Sequence, residues 1–182
     1  MRIITSRCHA FEYTVTAPSP CAIGLDTAQV GAVNRFSDCL VVTIAMEHGD
    51  RAVGSVAVKL IRRIAAQTGA TAIVVDGYLR PPSRSESARP RIDVLAELAD
   101  ALDLLTEIAD LLVSEGGRIH VIPFGWRAST HADIANSAHA QRSIRLGVDD
   151  PALDGGVVAA LDVPVAQRFR EKSSSPAATV GA

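Results

Sequence analysis

The chain has 182 residues, 48% of them hydrophobic and only 4% aromatic, with a formal net charge of −2. That length and apolar content suit one domain with an aliphatic core and exclude wholesale disorder. No run approaches the ~18 consecutive apolar residues of a membrane span, and a near-neutral chain is not a general nucleic-acid coat.

Charge is distributed unevenly. Residues 1–146 balance 15 basic against 15 acidic side chains, whereas residues 147–182 carry 3 basic and 5 acidic. Within the body, residues 93–115 hold seven acids and no base. Residues 77–92 set four arginines against Glu86, and residues 118–145 set four against Asp133. A neutral body of this kind can still present a local basic face. Cys8, Cys21 and Cys39 are too scattered for a disulfide framework or a CxxC knuckle, which suits a reducing cytoplasm. Met1 to Arg7 lacks the long apolar run of a signal peptide.

Taken in order, residues 2–7 and 11–16 read as two short strands around a Cys8-His9-Ala10 turn, since Phe11, Tyr13 and Val15 alternate. Residues 17–37 hold Pro18, Pro20, Gly24 and Gly31 and read as a loop. The continuous apolar run Cys39 to Met46 predicts a strand covered on both faces. A helix over 52–68 follows from the spacing of Val53, Val56, Ala57, Leu60, Ile64 and Thr68, with Gly69 stopping it. Thr71 to Val75 is the next buried strand.

The Pro81 to Ser87 stretch reads as irregular. Pro90 suits the start of a helix over 91–115, whose buried stripe is Leu95, Leu98, Leu102, Leu105, Ala109 and Leu112. Its acids, Asp93, Glu97, Asp100, Asp103, Glu107 and Asp110, read as a solvated face. Arg118 to Pro123 is another core strand, and Ala132 to Arg145 fits a short final helix. The order β-β-β-α-β-α-β predicts one α/β domain over 1–146 with a mixed sheet and helices packed on it. Residues 147–182 read as a low-complexity tail.

Local motifs carry little chemistry. No phosphate loop, dinucleotide fingerprint, zinc-protease motif or G-x-S-x-G elbow is present. His131, Asp133 and His139 match no standard metal spacing, so no metal or other cofactor is implied. His120 lies inside a strand and reads as structural. Cys8 and His9 are adjacent in a strand, which turns them to opposite faces and argues against a nucleophile pair.

A combination of segments is more specific: Met1-Arg2-Ile3-Ile4 with Phe11-Glu12-Tyr13, Leu40 to Glu47, Ile73-Val74-Val75 followed by Ala88-Arg89-Pro90, and Pro123-Phe124-Gly125-Trp126. In this order and spacing they resemble the archaeal-type N-terminal editing domain of threonyl-tRNA synthetase, which is similar in fold to D-aminoacyl-tRNA deacylase. The resemblance covers about residues 1–145. It implies a freestanding, cytoplasmic, homodimeric deacylase that hydrolyses mischarged seryl-tRNA(Thr) or a related ester, binding the aminoacylated 3′ end of tRNA. Such esters are already activated, so a positioned water and a stabilised oxyanion suffice.

Carried over by position, the family's pocket wall falls on Ala45, Met46 and Glu47. Its adenosine and amino-acid loop falls on Asp76 to Arg80, with Tyr78, Leu79 and Arg80 as contacts. Trp126 would shape or stack on the ligand. The family's lysine position is Ala128, one residue from Arg127, and its partner glutamate falls on Gln141. The resemblance therefore casts Arg127 and Gln141 as catalytic, and Arg127 as the group on the ester oxygen. It also implies that Met46, Tyr78, Arg80, Trp126 and Arg127 converge on one pocket. Two alternatives stay open: a catalytically silent relative that binds an aminoacyl or nucleotide ligand or a partner protein, and deacylation of a non-standard amino acid.

Overall fold

The computed structural model describes residues 1–80, 93–114, 116–137 and 139–147. The tail expected over 147–182, the irregular 81–87 segment and the Pro90 helix start lie outside the described residues, Gly147 apart.

A mixed sheet organises the domain. Strand β1 (Arg2–Pro18) runs antiparallel to β2 (Val33–Met46), β2 lies parallel to β3 (Ala72–Leu79), and β3 lies parallel to β4 (Ile119–Val121). On its other side β1 pairs antiparallel with β5 (Trp126–Ile134) along its second half and with β6 (Gln141–Arg145) along its first. Helices α1 (Gly54–Thr68) and α2 (Val94–Ser114) supply the crossovers β2-α1-β3 and β3-α2-β4. The expected α/β class, with two helices packed on a mixed sheet, is what the chain forms.

Alternation along the strands assigns the two faces. Ile3, Val42, Ile44, Ile73 and Val75 turn toward the helices. There they join Ala57, Ile61 and Ile64 of α1 and Leu104, Leu105, Ile108 and Leu112 of α2 in one buried cluster. Leu98 and Leu102 are partly buried against it, but Leu95 is 74% exposed, so the apolar stripe of α2 begins one turn later than its spacing suggests. The acid face of α2 is largely exposed, as expected.

The other face carries a second cluster: Cys8, Phe11, Tyr13, Val15, Cys39, Ala72, Val74 and Ile122. Its membership requires the β1–β2 hairpin to bend and fold back over the sheet. The bend lies at His9 and Asp38, which interrupt the β1–β2 pairing, and β1 also shifts register against β5 there. Asp38 has φ 49°, the left-handed region that Asp tolerates better than most residues. Beyond the bend, the Tyr13 hydroxyl meets His120 Nε2 of β4 at 2.5 Å, and the Phe36 ring lies 4.8 Å from the His120 ring. Burial pushes Tyr13 up and His120 down, so both are neutral, and the imidazole tautomer sets which of the two donates.

Three sequence expectations are corrected here. The two short N-terminal strands are one strand of 17 residues. The bend that looked like a turn keeps its pairing on either side, because a bulge costs only local hydrogen bonds. Strand β2 begins at Val33, inside the segment read as loop, and the partly polar Asn34-Arg35-Phe36-Ser37 is held by β1. Within the expected helix over 132–145, residues 132–134 end β5 and residues 141–145 form β6, because β1 offers free backbone groups along its whole length. Among the described residues the order is thus β-β-α-β-α-β-β-β.

The turn joining β4 to β5 admits little variation. Gly125 has φ 78°, and a Cβ there would lie 2.6 Å from the Cys21 carbonyl oxygen and 2.7 Å from Ala22 Cα. Left-handed backbone alone costs a non-glycine residue roughly 1–2 kcal/mol, and backbone atoms cannot step aside as a side chain can. Gly125→Ala should lower the melting temperature by several degrees, whereas Gly24→Ala, with nothing within 4 Å, should leave it nearly unchanged.

Candidate functional site

The carboxyl ends of β2 and β3 form the edge where α/β sheets usually hold ligands. Their register sets Thr43 beside Asp76, Ala45 beside Tyr78 and Met46 beside Leu79. A Cβ on Gly77 would strike the Leu105 side chain, so position 77 faces the helices. Alternation then turns Asp76 and Tyr78 to the opposite face, which Val41 and Val74 share. Thr43 and Ala45 lie on that face too, as do Ile4 and Ser6 of β1.

Asp76 is the chemically distinctive residue there. Burial pushes its carboxyl above the usual range. No hydrogen bond or ion pair from a described residue offsets that burial. A solitary carboxyl at a strand edge costs stability and is the kind of group a functional site retains. Tyr78, two residues on, is 44% exposed and offers a phenol and a ring beside it.

The residues expected to form the site are sorted by this geometry. Ala45 and Tyr78 share the Asp76 face. Met46 does not: it is fully buried in the helix-side cluster. Leu79 also packs against the helix-side cluster. Glu47 and Arg80 form an ion pair at 2.6 Å, and the Arg80 N–H donates to the Met46 carbonyl, closing the β2–β3 edge. Both side chains are more than a third exposed, so the pair contributes at most about 1 kcal/mol.

Trp126 follows β4 and pairs with Pro18 at the end of β1. The Ile122 N–H donates to the Val75 carbonyl, and four residues later Trp126 Nε1 donates to the Ile23 carbonyl at 2.8 Å. Trp126 and Ala128 both pack on the second cluster. Arg127 alternates between them and is exposed, opposite Ala17 of β1. Within one chain it therefore does not join Tyr78 and Asp76, and the five-residue convergence fails at Met46 and Arg127. Gln141 lies in β6 and donates to Ser6 Oγ at 3.3 Å, two strands from Thr43.

Asp76, expected at the start of the adenosine and amino-acid loop but not among its named contacts, lies inside β3. The available signal was an acid directly after Ile73-Val74-Val75, since a carboxyl continuing an apolar strand is rarely left without a partner. Thr43 had no comparable signal.

An open cavity of about 440 Å³ occupies the opposite end of the sheet. Arg62, Ala66, Gly69, Thr71, Gly117 and Arg118 are among its lining residues, and none of the expected site residues touches it. Among the described residues, no group of three or more His, Cys, Asp or Glu is placed to hold a metal ion. No helix among them is long and apolar enough to cross a membrane.

No family model and no curated protein matches the chain. Among solved structures it is similar to the c-Myc DNA Unwinding Element Binding Protein, with a TM-score of 0.53 and 10% sequence identity. The likeness covers 81% of this chain and 99% of that one. At that identity the likeness is one of fold.

Proposed function

We propose that the domain hydrolyses the ester of an aminoacyl-tRNA, with Asp76 as the group that activates water. The observation that supports this most is the raised Asp76 carboxyl at the sheet edge, without a partner among the described residues and beside Thr43, Ala45 and Tyr78. A raised carboxyl is a better base for water than an ordinary one, because its proton affinity is closer to the working pH. Thr43 Oγ and the Tyr78 phenol are hydrogen-bonding groups for the amino acid or the terminal ribose, and Trp126 offers a ring for the adenine. The resemblance to threonyl-tRNA synthetase editing domains supplies the substrate class, a seryl or related ester on threonine tRNA. It supplies the homodimer and the cytoplasmic setting as well. That a protein of similar fold is named for binding DNA agrees with a nucleic-acid ligand.

One observation favours the silent-relative reading. Ala128, at the family's lysine position, is the residue of its pair packed inward, while Arg127 is exposed. The inward position thus has no functional group, and hydrolysis rests on Asp76 alone. A panel of aminoacyl-tRNAs, scored for ester loss in single turnover, separates the two. Deacylation of seryl-tRNA(Thr) or of one other ester above the protein-free rate is the expected result. Binding of the tRNAs with ester loss at the protein-free rate across the panel would replace hydrolysis with ligand binding.

A further inference from the structure

Cys8 and Cys39 are far apart in sequence and are directly opposed partners in the β1–β2 ladder. Directly opposed antiparallel residues have Cα atoms about 4.5 or 5.5 Å apart. Either spacing falls within the window of about 4.4–6.8 Å that a disulfide spans. Both side chains point to the same face, both are fully buried in the second cluster, and both are free thiols. Cys21 is elsewhere, its Sγ 3.1 Å from Ser19 Oγ.

The position of the pair gives it leverage. Next to it come His9 and Asp38, where the hairpin bends over the face that carries Asp76. Arg7 braces the same point, donating to the Cys8 and Cys39 carbonyls, to the Thr68 carbonyl and to Asp38. We propose that Cys8 and Cys39 are a redox-responsive cross-strand pair, a dithiol that closes to a disulfide and clamps the bend of the hairpin. The oxidant is a small-molecule disulfide.

The chemistry balances with that co-reactant. One cysteine thiolate attacks the small disulfide, breaking its S–S bond and expelling one thiolate, which takes up the proton the cysteine lost. The second cysteine thiolate attacks the resulting mixed disulfide, forming the Cys8–Cys39 bond and releasing the other small thiol with the second proton. Two electrons pass from the protein to the small disulfide. Interaction with the facing thiol pushes Cys39 down and Cys8 up, and Cys8 Sγ donates to the Ser6 carbonyl at 3.6 Å, which favours Cys39 as the first attacker. Because neither thiol is exposed, attack proceeds through local opening of the hairpin. A reducing cytoplasm makes such a bond transient rather than structural.

The test uses the full chain carrying Cys21→Ser, which leaves both proposed partners intact. The reduced protein is incubated with glutathione disulfide, alkylated, digested and analysed by mass spectrometry without reductant. The expected product is one linked peptide pair joining Cys8 to Cys39, restored to free thiols by dithiothreitol, and a melting temperature several degrees above the reduced form. A control in urea establishes that the reagent oxidises these cysteines once exposed. Free Cys8 and Cys39 in the folded protein would overturn the proposal and leave them as buried packing residues. Glutathione fixed on one cysteine alone would overturn it equally. A linked pair with an unchanged or lowered melting temperature would overturn the clamp. None of these readouts depends on the hydrolytic activity.

Discussion

Replacing Asp76 with asparagine is expected to lower single-turnover deacylation by roughly 10²–10⁴-fold, the usual share of a positioned general base, while raising thermal stability. The two effects have one origin. Burial holds the Asp76 carboxyl above its ordinary value without a described partner to repay the cost. The folded protein therefore binds this proton more tightly than the unfolded chain does. The associated stability is fully present below the ordinary carboxylate range and is lost as pH rises through the raised folded value. Asparagine keeps the shape and never ionises, so at neutral pH Asp76→Asn should gain roughly 1–3 kcal/mol, the scale of an unsatisfied buried group. The gain should vanish at acidic pH, where Asp76 is already neutral. Catalysis runs the other way: the wild-type rate, corrected for protein-free hydrolysis, should climb with pH through the same raised value, and the variant should show no such limb. Thermal melts across pH and the rate profile read the same group independently. A variant that is less stable at neutral pH would show Asp76 to be a structural acceptor instead.

The second large effect is expected at Asp50. The Met1 ammonium donates to Asp50 Oδ1 at 2.5 Å and to the Leu146 carbonyl at 3.0 Å, and the Glu47 N–H donates to Asp50 Oδ2 at 2.6 Å. The ammonium is fully buried and the carboxylate side chain only 8% exposed. This ion pair ties the start of β1 and the residue after β6 to the end of β2, just below the candidate site. Removing one member of a buried pair leaves an uncompensated charge and costs about 3–5 kcal/mol. In a chain of this size that corresponds to about 10 °C in melting temperature. Asp50→Ala is the test. Asp38→Asn is its control, because asparagine keeps the tolerance of left-handed backbone and the Asp38 side chain is 57% exposed in its pair with Arg7, where such bridges contribute about 0–1 kcal/mol. Equal losses in the two variants would show that the Asp50 network is not what secures the N-terminal strand.

Composition and periodicity by themselves determined the elements whose partners lie near in sequence. The helix stop at Gly69 is one case: its φ of 64° makes it a left-handed cap. The core strand ending at Met46, the β-α-β units through Thr71 to Val75 and Arg118 to Pro123, and the solvated acid face of α2 are others. In each, a local signal and the tertiary environment agree. The α/β class followed from the order of these elements.

Tertiary structure decided what local patterns leave ambiguous. Whether residues 8–10 end a strand or merely bend it depends on β2 and β5 holding both sides, and no local residue states that. Whether residues 132–145 coil or extend depends on the unpaired edge of β1, which overrides a weak helical spacing. At the site, sequence proximity made Met46 and Arg127 as plausible as Ala45 and Tyr78. A strand's two-residue period gave each neighbour the opposite face, and only the packing of Gly77 against Leu105 fixed which face held the helices. That single choice buried Met46 and turned Asp76 to the side of Thr43, Ala45 and Tyr78. The opposition of Cys8 to Cys39 belongs to the same class, because it is a fact of register, and register is set by the whole pairing of β1 with β2.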